Sequence, residues 1–135
     1  MSRTLRFRVE KLIRDRLPAM MQADGLTTFE RALPLPDFQA ALAAKLVEEA
    51  QEVASAPSRA DLVEELADVA EVLLALTAAH GIEAAEVETA RLAKRVSRGG
   101  FDGRIWNAAV AAPEGSPALD YYLARPRLYP LEDEG

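Results

Sequence analysis

Apolar residues recur near helical spacing over three long stretches of this chain. Phe38, Leu42, Leu46 and Val53 predict a helix from about Pro36 to Ala54. Ala56-Pro57 breaks that pattern. Ser58, with Asp61 three positions on, resembles a helix start, although the usual capping box carries Glu or Gln there. The second helix, from about Arg59 to Ala79, stops at His80-Gly81, where glycine supplies the left-handed cap and His80 reads as a helix-end residue. A third follows from about Glu83 to Ser97, with Ile82, Val87, Leu92 and Val96. Upstream, Thr4–Val9 reads as a short strand or an extended arm. Lys11–Pro18 leads into a short helix that tolerates Pro18 in its first turn and ends at Gly25. Thr27–Leu33 reads as extended or irregular, punctuated by Pro34 and Pro36.

In the second long helix Leu62, Val63, Leu66, Val69, Val72, Leu73, Leu74 and Leu76 cover most of the circumference that the acids leave. So wide an apolar surface needs more than one partner helix. Three long helices and a short one make a thin bundle. The expected fold class is therefore all-α, an antiparallel helical bundle completed by oligomerisation. The expected domain covers residues 1–107. Residues 108–135, rich in Ala and Pro with Tyr121, Tyr122, Tyr129 and an acidic end, are expected to form a packed arm with a frayed tip.

The acids change the picture. At roughly 100° per residue, Glu48, Glu49 and Glu52 fall within about a 100° arc, and Asp61, Glu64, Glu65, Asp68 and Glu71 within about 120°. Like charges three or four positions apart repel by a few tenths of a kcal/mol per pair. A run of acids is commonly a solvated face, but such faces mix signs. Here Arg59 is the one basic residue from Gln51 through Ala90. The arrangement points to a hard divalent cation held by carboxylates between two helices.

Composition narrows the chemistry further. With 135 residues, half of them hydrophobic, the chain is long enough for one domain with a core. It has no cysteine and only His80 as histidine, which excludes thiolate and histidine-rich metal sites. No apolar run approaches the ~18 residues of a membrane span, and no apolar stretch follows the basic N-terminus as in a signal peptide. A soluble cytoplasmic protein with no membrane association is the expectation. Residues 1–35 hold seven basic and four acidic side chains, residues 36–90 two and twelve, and residues 91–135 seven and six. An acidic middle between basic flanks suits a metal plus an anionic ligand such as a phosphate ester. It disfavours stable nucleic-acid binding, which calls for a broad basic surface.

Magnesium binds a few carboxylates together with substrate phosphates. Glu49 and Glu52 present two carboxylates one turn apart, and Glu65 and Asp68 do the same. The 12 residues between Glu52 and Glu65 allow an antiparallel hairpin that brings both pairs into one site. Magnesium there can neutralise a polyphosphate, polarise phosphorus and lower the pKa of a water. Lys94, Arg95 and Arg98, followed by Gly99-Gly100, offer a phosphate grip, although a basic helix end capped by glycine reads the same way. Lys11 and Arg14, with Arg16, form a second candidate grip.

These residues resemble a known family. Glu48-Glu49-Ala50-Gln51-Glu52, followed after 12 residues by Glu65-Leu66-Ala67-Asp68, looks like the EExxE…ExxD signature of all-α nucleoside triphosphate pyrophosphohydrolases, the MazG-like and phosphoribosyl-ATP pyrophosphohydrolase-like proteins. Lys11–Pro18 and Arg98-Gly99-Gly100-Phe101 are similar to flanking segments of a small MazG-like subgroup, so the resemblance spans about residues 9–105. It implies magnesium-dependent hydrolysis (with manganese as an alternative ion) of a nucleotide between its α and β phosphates. The implied products are a nucleoside monophosphate and pyrophosphate, in a nucleotide house-cleaning role. By the same resemblance Glu49, Glu52, Glu65 and Asp68 are the metal-binding positions, and Glu48 completes the first motif. Glu48 and Glu49 are the catalytic candidates, Glu48 as the base for water. Lys11, Arg14, Lys94, Arg95 and Arg98 are the candidate substrate contacts, and a homodimer or homotetramer is the implied assembly. The alternative reading is a non-catalytic helical interaction module that retains the acidic hairpin.

Overall fold

A computed structural model describes residues 2–132. The chain forms two compact units, residues 1–97 and residues 98–135. Its elements are all helical: α1 (Leu17–Ala23), α2 (Leu35–Ser55), α3 (Arg59–Ala79), α4 (Ala84–Arg98) and α5 (Pro117–Leu123), with no strand among the described residues. The segment Thr4–Val9 is accordingly an arm without regular secondary structure, not a strand.

The first unit is organised by a hairpin of α2 and α3, the pair of helices that pack against each other among the described residues. Ala56-Pro57-Ser58 makes the turn. Ser58, extended at φ −144, caps α3 by accepting a hydrogen bond from the Asp61 N–H at 3.1 Å. Its hydroxyl donates in turn to Asp61 Oδ2 at 2.7 Å, so aspartate substitutes for the usual glutamate of a capping box. At the far end the His80 N–H donates to the carbonyls of Leu76 and Thr77, and Gly81 takes the left-handed conformation at φ 66. His80 is thus a helix-end residue.

Along α2, Phe38, Leu42, Leu46, Glu49 and Val53 turn inward at steps of three or four. Along α3, Glu65, Asp68, Val69, Val72, Leu76 and Ala79 do so. Leu42 and Val72 are the buried apolar residues among those described, and Gln39 ties the seam's open end by donating to the Ala79 carbonyl at 2.8 Å. The core is narrow. Val63, Leu66, Leu73 and Leu74 of α3 stay exposed, about half or more of each side chain's surface open to solvent except Leu73 at 46 %. An open apolar groove of about 410 Å3, walled by Leu73, Leu74, Thr77, Ala84 and Val87, separates α3 from α4.

In the second unit the sequence pattern leaves one element undetected. Ser116 caps α5 by accepting from the Ala118 N–H, and Pro117 fills its first turn. Tyr121, Tyr122 and Tyr129 then gather edge-on and tilted, with ring centroids 4.9 to 6.1 Å apart, and Arg125 lies 3.9 Å over the Tyr121 ring. Residues 133–135, on which the expected frayed tip of the arm falls, lie outside the described residues.

Candidate metal centre

Two inward-facing rows converge on an acidic layer instead of an apolar one. Glu49 lies six residues before the end of α2 at Ser55, and Glu65 six residues after the start of α3 at Arg59. Both therefore stand about 9 Å from the turn, at the same height in an antiparallel pair. Asp68 is three positions further along α3, on the same face. Carboxylate oxygens of Glu49, Glu65 and Asp68 lie within 4.8 Å of one another. Glu49 is the buried polar residue of the seam, at 8 % exposure, while Glu65 and Asp68 are half-buried. Glu52, one turn from Glu49, is exposed and stands outside that group of three, but its charge still reaches Glu65.

The cations that offset this layer come both from within α2 and from far away in sequence. Lys45 reaches both Glu48 and Glu49 at 3.5 Å from within α2. Lys11 donates to Glu48 Oε1 at 3.1 Å, and Arg14 Nη2 donates to Asp68 Oδ1 at 2.7 Å. The structure thus brings two of the five sequence-predicted phosphate contacts onto the carboxylates themselves. Lys94 and Arg95 ride on α4, which is not packed against α2 or α3. Arg98 ends α4 and opens the second unit.

Electrostatics separates the carboxylates. Partial burial pushes the Glu65 carboxyl above its ordinary pKa, and the charges of Glu52, Asp68, Glu49 and Asp61 push it the same way. Glu48 moves down: its hydrogen bond from Lys11 dominates, desolvation opposes it, and Lys45 adds to the lowering. That pairing keeps Glu48 ionised and makes it a weaker proton acceptor than a free glutamate. The hydrogen bond to Asp68 raises the pKa of Arg14 against a small desolvation effect, helped by the charges of Asp68, Glu71 and Glu49.

Three clustered oxygen donors, one of them buried, with no nitrogen or sulfur ligand nearby, fit a hard divalent cation such as magnesium. Lys11 and Arg14 were candidates in the sequence by their charge and by the resemblance of the Lys11–Pro18 segment. Their pairing partners, 37 and 54 residues away, carry no local signal. Lys45 was missed as a partner of the first motif's Glu48 and Glu49, although its i,i+3 and i,i+4 spacing to them is the signal that finds it.

Comparison with curated proteins and with solved structures finds no match. The phosphoribosyl-ATP pyrophosphohydrolase family matches residues 10–95, a span that holds both acidic motifs, Lys11 and Arg14, and most of α4. The chain belongs to this family of pyrophosphohydrolases, and its reaction class is hydrolysis.

Proposed function

We propose that the protein is a magnesium-dependent nucleoside triphosphate pyrophosphohydrolase that cleaves between the α and β phosphates, releasing a nucleoside monophosphate and pyrophosphate. The observation that carries this reading is the meeting of Glu49, Glu65 and Asp68, contributed by both acidic motifs, in one oxygen-donor group. These three carboxylates, with Glu52 beside them, would hold a divalent cation. Bound there, the cation would neutralise the polyphosphate and polarise phosphorus. Manganese would serve as an alternative ion with the same oxygen ligands.

The chain's own side chains supply the rest. Glu48 is held ionised by Lys11 and Lys45 and accepts a hydrogen bond from the water that attacks phosphorus. With its proton affinity lowered, it orients that water more than it deprotonates it, and Glu49 shares the role. Lys11 and Arg14 stand at the carboxylates and meet the phosphates there. Lys94, Arg95 and Arg98 remain candidate phosphate contacts from the basic end of α4. The exposed apolar face of α3 supports self-association as a dimer or tetramer.

Pyrophosphate release from a panel of ribo-, deoxyribo- and modified nucleoside triphosphates and phosphoribosyl-ATP, in magnesium and in chelator, tests the reading. Magnesium-dependent release with matching monophosphate is expected, together with its loss in Glu49→Gln and Asp68→Asn at unchanged helicity. Normal turnover in both variants would sink the metal site. No release from folded, magnesium-bound protein across the panel would favour a non-catalytic helical module.

A further inference from the structure

The arm that precedes α1 carries no secondary structure from Ser2 to Glu10, and the segment that follows it, residues 11–14, meets the acidic face of the hairpin. Two side-chain pairs three residues apart hold it there, Lys11 on Glu48 and Arg14 on Asp68. Leu12, half-buried between them, lines a small recess with Ala41 and Ala44 of α2 and anchors the segment. Glu10 is bent into the left-handed region at φ 45 as the arm arrives, an unfavourable conformation for a residue with a β-carbon. The segment is therefore held down by charge and one apolar contact, against local strain. Both cations keep more than half of their side-chain surface open, 54 % for Lys11 and 58 % for Arg14, so leaving the carboxylates uncovers little.

Asp68 has two roles in this arrangement. Its Oδ1 accepts from Arg14, and its carboxylate belongs to the group with Glu49 and Glu65. A magnesium ion about 2.1 Å from either Asp68 oxygen would lie within roughly 7 Å of Arg14 Nη2, inside the distance over which salt screens charge. The guanidinium also feels Glu71 and Glu49, so it responds to the charge of the whole face. A dication on that face weakens every one of these attractions.

We propose that the Lys11–Arg14 segment is a cation-responsive latch, in which Arg14 and a divalent cation compete for Asp68, so that metal loading frees the guanidinium to grip a phosphate. This rests on the metal reading given above and assigns an order to it, metal before phosphate. Arg14 is a positioning residue in the first state and a phosphate ligand in the second. Leu12 keeps the segment attached while Arg14 moves, so the guanidinium stays within reach of the site.

Titration calorimetry on the full chain tests the latch with two probes, magnesium alone and methylenediphosphonate in saturating magnesium. The diphosphonate carries no base or sugar, so substrate preference does not enter. In Arg14→Met, magnesium should bind about two- to ten-fold tighter, the range set by one exposed ion pair acting against a doubly charged competitor. The diphosphonate should bind about ten-fold weaker or worse, as expected for a lost charged hydrogen bond. Arg14→Lys, which keeps the charge, should return the magnesium affinity towards that of the unaltered chain. Opposite shifts for the two probes support the latch, because a merely structural arginine would move both in one direction. Magnesium affinity that is unchanged or weaker in Arg14→Met overturns it. Glu65→Gln separates the two levels. Magnesium binding that is lost in Glu65→Gln but indifferent to Arg14→Met overturns the latch alone. An unaltered chain that binds no magnesium overturns the metal site and the latch with it.

Discussion

Glu49 occupies a position that the hairpin's packing would give to an apolar residue, and replacing it should stabilise the protein while destroying the site. It follows Phe38, Leu42 and Leu46 at seam spacing, and it is 8 % exposed. Glu49→Leu would continue the apolar row. Burying a leucine side chain there contributes about 1.5–3 kcal/mol. Loss of the 3.5 Å pair with Lys45 removes about 0.2–1 kcal/mol of that. Relief of like-charge repulsion from Glu65 and Asp68 acts in the stabilising direction as well. The expected net gain is about 1–2 kcal/mol in chelator, or roughly 3–10 °C in Tm for a chain of this size. Thermal and urea melts at one fixed protein concentration, in chelator and in excess magnesium, read both effects. Magnesium should raise the Tm of the unaltered chain and leave that of Glu49→Leu where it was. A variant less stable than the unaltered chain in chelator would refute the argument, because Glu49 would then be a structural member of the seam.

Three other outcomes are expected. Ser58→Ala should cost about 1 kcal/mol in urea melts, because the first turn of α3 loses the acceptor for the Asp61 N–H. Glu48 has its pKa lowered on folding, so its pairing stabilises the protein above the ordinary glutamate value, and that stability is lost as pH falls through the folded value. Lys11→Met should therefore lower stability at pH 7 by no more than about 1 kcal/mol and give a shallower decline in melts taken from pH 6 down to pH 3, whereas superimposable profiles would show that the pair contributes nothing. Sedimentation velocity should find a dimer or larger species, and Leu66→Glu, on the exposed apolar face of α3, should dissociate it with helicity retained; a monomer at all concentrations would remove self-association from the proposal.

The long helices were legible because each carries its own period and its own punctuation. The expected span Arg59–Ala79 coincides with α3, and the Pro36–Ala54 reading misses α2 by one residue at each end. The seam carboxylates were legible for a related reason, since Glu49, Glu65 and Asp68 sit at helical positions whose spacing fixes both their face and their height. The arm was not. Lys11 and Arg14 find Glu48 and Asp68 through chain closure over 37 and 54 residues, which no local window records. The short α5 escaped for the opposite reason. Its signals, Ser116 as cap and Pro117 at the first turn, were present, but seven residues are too few to show a period.

One helix, α3, carries three different obligations, and the angle between them explains how they coexist. At about 100° per residue, Glu65, Asp68, Val69, Val72 and Leu76 span roughly 100° and face α2. Leu62, Leu66, Leu73, Val63 and Leu74 span about the next 120° and remain exposed, while Glu64 and Glu71 close the circle. Inserting one residue between the Ser58 cap and Glu65 would rotate both site carboxylates by about 100° out of the seam and carry an exposed leucine face towards α2. The spacing of the hairpin is therefore fixed by the site and the core together. The second apolar face shares no residue with either, so association should be separable by mutation from metal binding, and a change such as Leu66→Glu should leave magnesium affinity intact in any species that stays folded.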